Sequence, residues 1–297
     1  MNEEIDMNDD SDTWITDGGI ESIEQVADGT GTPAESGAGN TQGVPGVDRD
    51  VLLEVIRRAP ILHTLLGGSA RASEIVETVD LSRSTVHRAT HSLEEYGLLE
   101  RVDDEYRLTN LGRLLFGEVT RFERQSSTAF ALAPFLNTIT LDGGGFPIEH
   151  FADATITRRQ PRQPHVTIHR IIKLIEQSDR LHMLSTVISP VYVDVGYREM
   201  MDGMEIDAVF EPEVVDLMLS EYPEKAEQTI ATGNFRVYAK AGLPCELFIF
   251  DSKMGMAAHD ENGNAEVLIE CEDAAAVRWA ESLYEKHSSQ ADRINEV

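Results

Sequence analysis

The sequence predicts an α+β chain of two domains, a small helical N-terminal one that closes on a short β-hairpin and a larger α/β one. Between positions 48 and 135 apolar residues recur three or four apart, broken once by two short runs joined by acids. From His182 onward, short runs rich in Val, Ile and Phe alternate with helix-spaced segments. Residues 1–47 carry neither pattern.

That first segment is acidic and rich in Gly, Ser and Thr, as in GTGTPAESGAGNTQGVPG, and is expected to be a disordered tail. Its isolated apolar residues, Trp14, Ile15, Ile20, Ile23 and Val26, offer at most a short docking helix. Asp48 to Arg58 reads as the first helix, with Val51, Leu52, Val55 and Ile56 on one face. Pro60 suits the first turn of a second, which runs to Leu66 and closes at Gly67-Gly68. Ser73 is expected to cap a third helix bearing Ile75, Val76 and Val79, which reaches Ser82 through a tight link at Asp80 and Leu81.

The stretch Leu81 to Arg101, LSRSTVHRATHSLEEYGLLER, has a marked start and stop. Ser82 is an N-cap, Val86, Ala89, Thr90 and Leu93 form a buried face, and Gly97 sits where a left-handed cap belongs. The opposite face carries Ser84, His87, Arg88 and His91, short or planar hydrogen-bonding groups suited to reading base edges. Leu98–Val102 and Tyr106–Leu108 follow as strands joined by Asp103, Asp104 and Glu105. Helix, turn, helix and hairpin is a winged helix-turn-helix. With YRLTNLG after it, this stretch resembles the DNA-binding half of archaeal winged-helix transcription regulators. In such a domain the N-terminal part of the second helix reaches the bases. The expected DNA contacts are Ser82, Arg83, Ser84, Thr85, His87, Arg88 and, more remotely, His91. The acidic hairpin tip would repel phosphates, so Arg101 and Arg107 on its flanks are expected to make any wing contact.

Composition bears on the partner. The net charge of −28 opposes binding to a polyanion, but it is unevenly distributed. Residues 1–50 hold 13 acids and one base, 51–118 hold 11 and eight, and 119–297 hold 29 and 16. The winged helix is therefore nearly neutral. Abundant Asp and Glu with five Lys resembles proteins of salt-accumulating halophiles, where a Debye length of about 3 Å at 1 M salt mutes long-range repulsion. It mutes counterion release equally, so base and shape contacts must do more. No apolar run approaches the roughly 20 residues of a membrane span, no signal peptide is evident, and only Cys245 and Cys271 are present. A cytoplasmic protein with no membrane contact is expected.

Asn110 to about Phe135 reads as one long helix, with Leu111, Leu115, Val119, Phe122, Ser126, Ala129 and Ala133 stepping by three or four. It suits a homodimer matching a two-fold operator, or packing on its own C-terminal domain. Leu141 to Pro147, with three glycines, marks a boundary. The expected organisation is a tail (1–47), a winged helix-turn-helix (48–109), a linker or dimerisation helix (110–137) and an α/β regulatory domain (138–297). Expected strands in the last are 182–189, 205–210, 235–239, 247–251, 254–258 and 266–269, and expected helices are 165–177, 190–201, 212–220, 223–232 and 274–287.

A second resemblance lies there. SPVY, MEIDAVFEPEVVDLMLSEYPE, ATGNFRVYAKAGLPCELFIFD and HDENGNAEVLIECEDAAAVRWAESLYEKH, in that order, are similar to the C-terminal domain of the archaeal family first named for a methanogenesis and filament regulator. The family joins this domain to a winged helix. The resemblance covers roughly residues 48–290 and implies a transcription regulator with a sensor-like C-terminal domain responding to a small-molecule effector. Cys245 stands where relatives tend to have an aromatic. Because ligands in open α/β sheets sit beyond the carboxyl ends of strands, Ser189, Pro190, Tyr192, Glu211 and Asp251 are expected to border a pocket, although Glu211 also suits a helix start.

No catalysis is expected: the sequence has no phosphate loop, nucleophile elbow or HxK pair. His165 and His169 are four apart, but no carboxylate or Cys nearby completes a metal set. Cys245 and Cys271, in apolar strands, are expected to pack. No cofactor is implied. The sequence supports a dimeric regulator of double-stranded DNA, with a winged-helix protein adaptor as the alternative.

Overall fold

Helix α1 (Arg49–Arg57) starts where the Asp48 carboxylate accepts the Asp50 N–H at 2.9 Å. The computed structural model describes residues 48–140, 145–260 and 263–294; the expected tail and the centre of the glycine boundary lie outside them. Helix α2 (Ala59–Thr64) has Pro60 in its first turn and tightens into a 3₁₀ turn at Leu65–Gly67. A short strand β1 (Ala70–Arg71), not anticipated from sequence, leads into α3 (Ala72–Thr78). Ser73 lies inside α3 rather than capping it, and the Glu74 carboxylate instead reaches back to accept the Arg71 N–H at 2.7 Å. Helix α4 (Arg83–Glu95) has the expected ends. Ser82 Oγ accepts the Thr85 N–H at 3.2 Å, Gly97 takes φ +68°, and the Leu98 N–H reaches back to the Leu93 carbonyl at 2.9 Å.

Strands β2 (Leu99–Val102) and β3 (Glu105–Leu108) form the hairpin, and β1 adds to β3 to give a three-stranded antiparallel sheet ordered β1-β3-β2. Its turn is the pair Asp103-Asp104, at φ +50° and +65°, with Glu105 already in the strand. Two positive φ values at a two-residue turn match the right-handed twist of the flanking strands, here on residues less suited to it than glycine. Val55, Ile61, Leu62, Leu65, Ile75, Val86, Leu93 and Phe116 close one apolar cluster beneath these elements.

Helix α5 (Asn110–Leu136) ties this cluster to the rest. Phe116 and Val119 belong to the first cluster, while Leu132 and Phe135 enter a second one. Its first turn passes so close to the chain leaving α4 that a Cβ on Gly112 would stand 2.1 Å from the Leu98 carbonyl oxygen. Glycine is obligatory there. Residues from Asp48 onward cluster as one compact unit, and α5 runs through it as the single long helix expected over 110–137.

The second part is one eight-stranded mixed sheet ordered β11-β7-β6-β5-β8-β9-β10-β4. In chain order it comprises β4 (Thr155–Arg158), α6 (Val166–Ile175), β5 (Arg180–Ser185), α7 (Pro190–Met201), β6 (Glu205–Phe210), α8 (Pro212–Glu221), α9 (Pro223–Thr232), β7 (Phe235–Ala239), β8 (Glu246–Ile249), β9 (Met254–His259), β10 (Ala265–Cys271), α10 (Ala274–Ser288) and β11 (Asp292–Ile294). β5, β6 and β7 are parallel, and β8 joins β5 antiparallel. Alternate strand residues face opposite layers: Leu181, Ile206, Ala208 and Phe248 pack towards α6–α9, whereas Leu184, Val209, Leu247 and Ile249 pack with α10 and the end of α5. No helix among the described residues is long and apolar enough to cross a membrane.

Candidate nucleic-acid interface and buried cavity

Helix α4 buries Val86, Ala89, Thr90 and Leu93, which rotates Arg83, Ser84, His87, Arg88 and His91 outward. At its start, the Ser82 and Ser84 hydroxyls lie 3.0 Å apart, those of Ser82 and Thr85 2.8 Å apart, and half-buried Thr85 is drawn inward. Ser82 is therefore committed to its cap. Arg88 Nε donates to the Ser84 carbonyl at 3.4 Å, which lays the side chain along the helix while its two terminal nitrogens stay without an acceptor among the described residues. Arg83 likewise has no ion-pair partner there. His91 sits 3.8 Å from Glu95, one turn towards the C-terminus.

The hairpin differs. Arg101 donates to Asp104 at 2.6 Å and lies 5.6 Å from the centre of the Tyr106 ring, Arg107 donates to Glu100 at 2.8 Å, and Arg71 approaches Glu105 at 3.9 Å. The two arginines expected to reach phosphates are thus already neutralised by acids of their own hairpin. Exposed pairs of this kind are worth about 0–1 kcal/mol, so a phosphate can displace the acid, but the gain is smaller than from a free guanidinium. Among the described residues of α3 and α4, the cations without an ion-pair partner are Arg83 and Arg88, in the N-terminal half of α4; Arg49 and Arg57 on α1 also have none.

A second site lies between the sheet and α6–α9. An apolar cavity of about 100 Å³ is walled by Tyr192, Tyr197, Phe210, Tyr222, Phe235 and Phe248. Its wall includes Ser185, Val187 and Ile188 at the carboxyl end of β5, which has β6 on one side and β8 on the other. Tyr192 is the only one of the five expected pocket residues on its wall. Ser189 caps α7, accepting the Tyr192 N–H at 3.4 Å, and Pro190 opens that helix. Glu211 accepts the N–H groups of Gly242 (3.2 Å) and Leu243 (2.7 Å), pinning the loop after β7, and makes no cap bond to α8. Asp251 accepts the Asp179 N–H at 2.9 Å. Ser189, Pro190 and Glu211 follow the carboxyl ends of β5 and β6, whereas Asp251, after the antiparallel β8, lies at the opposite end beside Asp179; the Ser189, Glu211 and Asp251 side chains hold backbone instead of lining the cavity.

Sequence reasoning missed the group that matters most here, Glu246. It is 2% exposed at the first position of β8 and lines the cavity. Its carboxylate accepts Ser185 Oγ at 2.7 Å, Thr186 Oγ1 at 2.7 Å and the Thr186 N–H. Burial pushes its pKa up to about 7, against the opposing pull of these hydrogen bonds. The Tyr192 hydroxyl is buried without a hydrogen-bond partner, and burial, then the nearby Glu246, raise its pKa. Nothing in the run LPCELFIFD marks the glutamate as inward, because a buried acid breaks the pattern by which strands are read.

His165 and His169 have ring centres 6.3 Å apart, and the described residues contain no group of three or more metal-ligating side chains. Cys245 and Cys271 are both buried free thiols, in line with packing.

The relation to known proteins follows the same division. Residues 164–290 match the family model for the middle domain of the methanogenesis regulatory protein FilR1. Residues 47–129 match the model named HVO_A0261 N-terminal domain. The FilR1-type region contains the cavity and Glu246, and the N-terminal match contains α4 and the hairpin. No curated protein sequence matches the chain. Among solved structures, the archaeal chromatin protein TrmBL2, described as showing a novel mode of DNA binding, aligns at TM-score 0.39 and 12% identity over 83% of this chain and all (100%) of its own. Nuc, a phospholipase D family member from Salmonella typhimurium, aligns at 0.37 and 11% over 48% of this chain and 99% of its own. Phosphatidylserine synthase from Haemophilus influenzae Rd KW20 aligns at 0.37 and 11% over 48% and 40%. Similarity at these scores carries no argument about function.

Proposed function

We propose that the chain is a sequence-specific, DNA-binding transcription regulator of an archaeal halophile, cytoplasmic and homodimeric, which acts by binding rather than turnover. Residues 48–109 serve as its winged helix, α4 enters the major groove, and the α/β part senses an effector. One observation carries the reading: the unpaired guanidinium groups of Arg83 and Arg88 lie beside Ser84 and His87 on the outward face of a helix whose other face is fixed in a core. The match of 164–290 to a domain of a regulatory protein supports it.

The homodimer is supported by apolar groups left outward on the two helices that flank the DNA-reading unit. Leu114 is 63%, Phe122 62% and Phe130 81% exposed on α5, and Leu52, Leu53 and Ile56 are exposed on α1. Exposed aromatics of this size on one helix mark an interaction surface.

A protein adaptor remains the second reading, favoured by the acidic hairpin with its internally paired arginines. Selection of bound duplexes from a random library at high salt separates the two. The regulator reading expects a defined consensus whose information is lost at one or two positions in Arg88→Ala/His87→Ala, with circular dichroism unchanged. Unselective recovery by the intact protein would favour the adaptor.

A further inference from the structure

The α/β part contains an unneutralised acid at an aromatic cavity. Glu246 is fully enclosed, and its hydrogen-bond donors, the Ser185 and Thr186 hydroxyls and the Thr186 and Val187 N–H groups, are all neutral, so none of them answers its charge. No cation of the described residues pairs with it. Lys225, the cation on the wall, is bonded to Asp194 and lies 5.6 Å from the centre of the Tyr197 ring. The Tyr192 hydroxyl, in the same cavity, is buried without a hydrogen-bond partner among the described residues. The rest of the surface is apolar, much of it the rings of Tyr192, Tyr197, Phe210, Tyr222, Phe235 and Phe248.

A buried carboxylate is costly unless a positive charge or a proton answers it. Aromatic rings around it favour a cation through their electron-rich faces. From this geometry we infer that the cavity binds a small apolar molecule ending in a protonated amine, its ammonium bonded to Glu246 and the Tyr192 oxygen and its hydrocarbon body among the aromatic rings. At about 100 Å³ the cavity is smaller than the apolar cavities of about 150 Å³ that take up benzene, which favours a body the size of isobutylamine over benzylamine. A link to the rest of the fold is built in: Glu246 holds Ser185 and Thr186, four residues or fewer before the Ser189 cap of α7, so a ligand that draws on the carboxylate also pulls on the entry to that helix.

The inference rests on the sensory role proposed above, but its test uses no DNA, so either can fail alone. Calorimetric titration of the full chain compares benzylamine with benzyl alcohol, and isobutylamine with isobutanol. At least one amine should bind at least tenfold more tightly than its alcohol. Glu246→Gln should weaken that amine at least tenfold and Tyr192→Phe about threefold, with the alcohols changed less than threefold. Failure of both amines to bind, or amine and alcohol affinities within threefold of each other, overturns the inference. Because Glu246→Gln removes an internal anchor, the wild-type comparison and Tyr192→Phe decide the matter if that variant does not fold.

Discussion

Replacing Glu246 with Gln should change how stability depends on pH, in a direction fixed by the structure. In the fold this carboxyl holds its proton up to about pH 7, against an ordinary value of 4.5. Between those values the folded state binds more protons than the unfolded one, so stability falls as pH rises through the window. The loss, at roughly 1.4 kcal/mol per pH unit, totals about 3 kcal/mol above pH 7. The wild-type curve alone would hide part of this. Burial lowers the pKa of His259 to about 4, and a depressed histidine contributes stability present above its ordinary 6.5 and lost as pH falls towards 4. The two slopes oppose each other below pH 6.5, so the informative quantity is the difference between wild type and variant. Near the site, Cys245 is pushed up to about 12 and Tyr192 is also raised, so neither titrates in the window. Gln cannot ionise, but it turns an amide towards donors that need acceptors, at a cost of about 1–2 kcal/mol. Urea unfolding followed by circular dichroism at fixed salt should find Glu246→Gln less stable than wild type at pH 4.5. By pH 8 it should have gained about 3 kcal/mol relative to wild type. Curves that run parallel within about 0.5 kcal/mol would refute the assignment of Glu246 as a buried, near-neutral carboxyl.

Three further outcomes are expected. Gly112→Ala places a methyl against the Leu98 carbonyl oxygen at 2.1 Å, so either α5 or the end of α4 must shift; thermal melts should show a loss of about 2–3 kcal/mol or more. Arg170→Ala strands Glu270, which is 6% exposed and now receives bidentate hydrogen bonds at 2.7 and 2.6 Å; urea titration should give a loss of about 2–4 kcal/mol, the lower end reflecting the part-exposed arginine. If α5 carries the dimer, Phe122→Asp should yield monomers in analytical ultracentrifugation with little loss of helix, whereas an unchanged sedimentation coefficient would place the interface elsewhere.

Much of the fold is legible in the sequence because local chemistry and burial agree. Ser82 and Gly97 mark both ends of α4, the strands at 205–210 and 235–239 stand where their alternation puts them, and α7 and α9 start at the prolines that announce them. The strands that escape notice, β1, β4 and β11, are two to four residues long, and each pairs with a strand more than 30 residues away. Such strands exist because a neighbour offers hydrogen bonds, not because of their own pattern. The α4 face is similarly readable, since helix periodicity alone decides which side chains point outward. The cavity is not, because its walls come from five or more elements, and its key residue, Glu246, is an acid one position before the expected strand 247–251. The ion pairing of Arg101 and Arg107 depends on hairpin register: Arg107 stands opposite Glu100 across the ladder, a relation set by the two-residue turn.

The central claim is that α4 reads DNA sequence, and genome-wide occupancy measured in the source cell under its own salt tests it most directly. Intact protein and Arg88→Ala should be compared at equal abundance. The account predicts discrete promoter peaks for the intact chain that collapse in the variant. Peaks unchanged in position and height in Arg88→Ala, or no peaks from a folded and expressed intact chain, would contradict it.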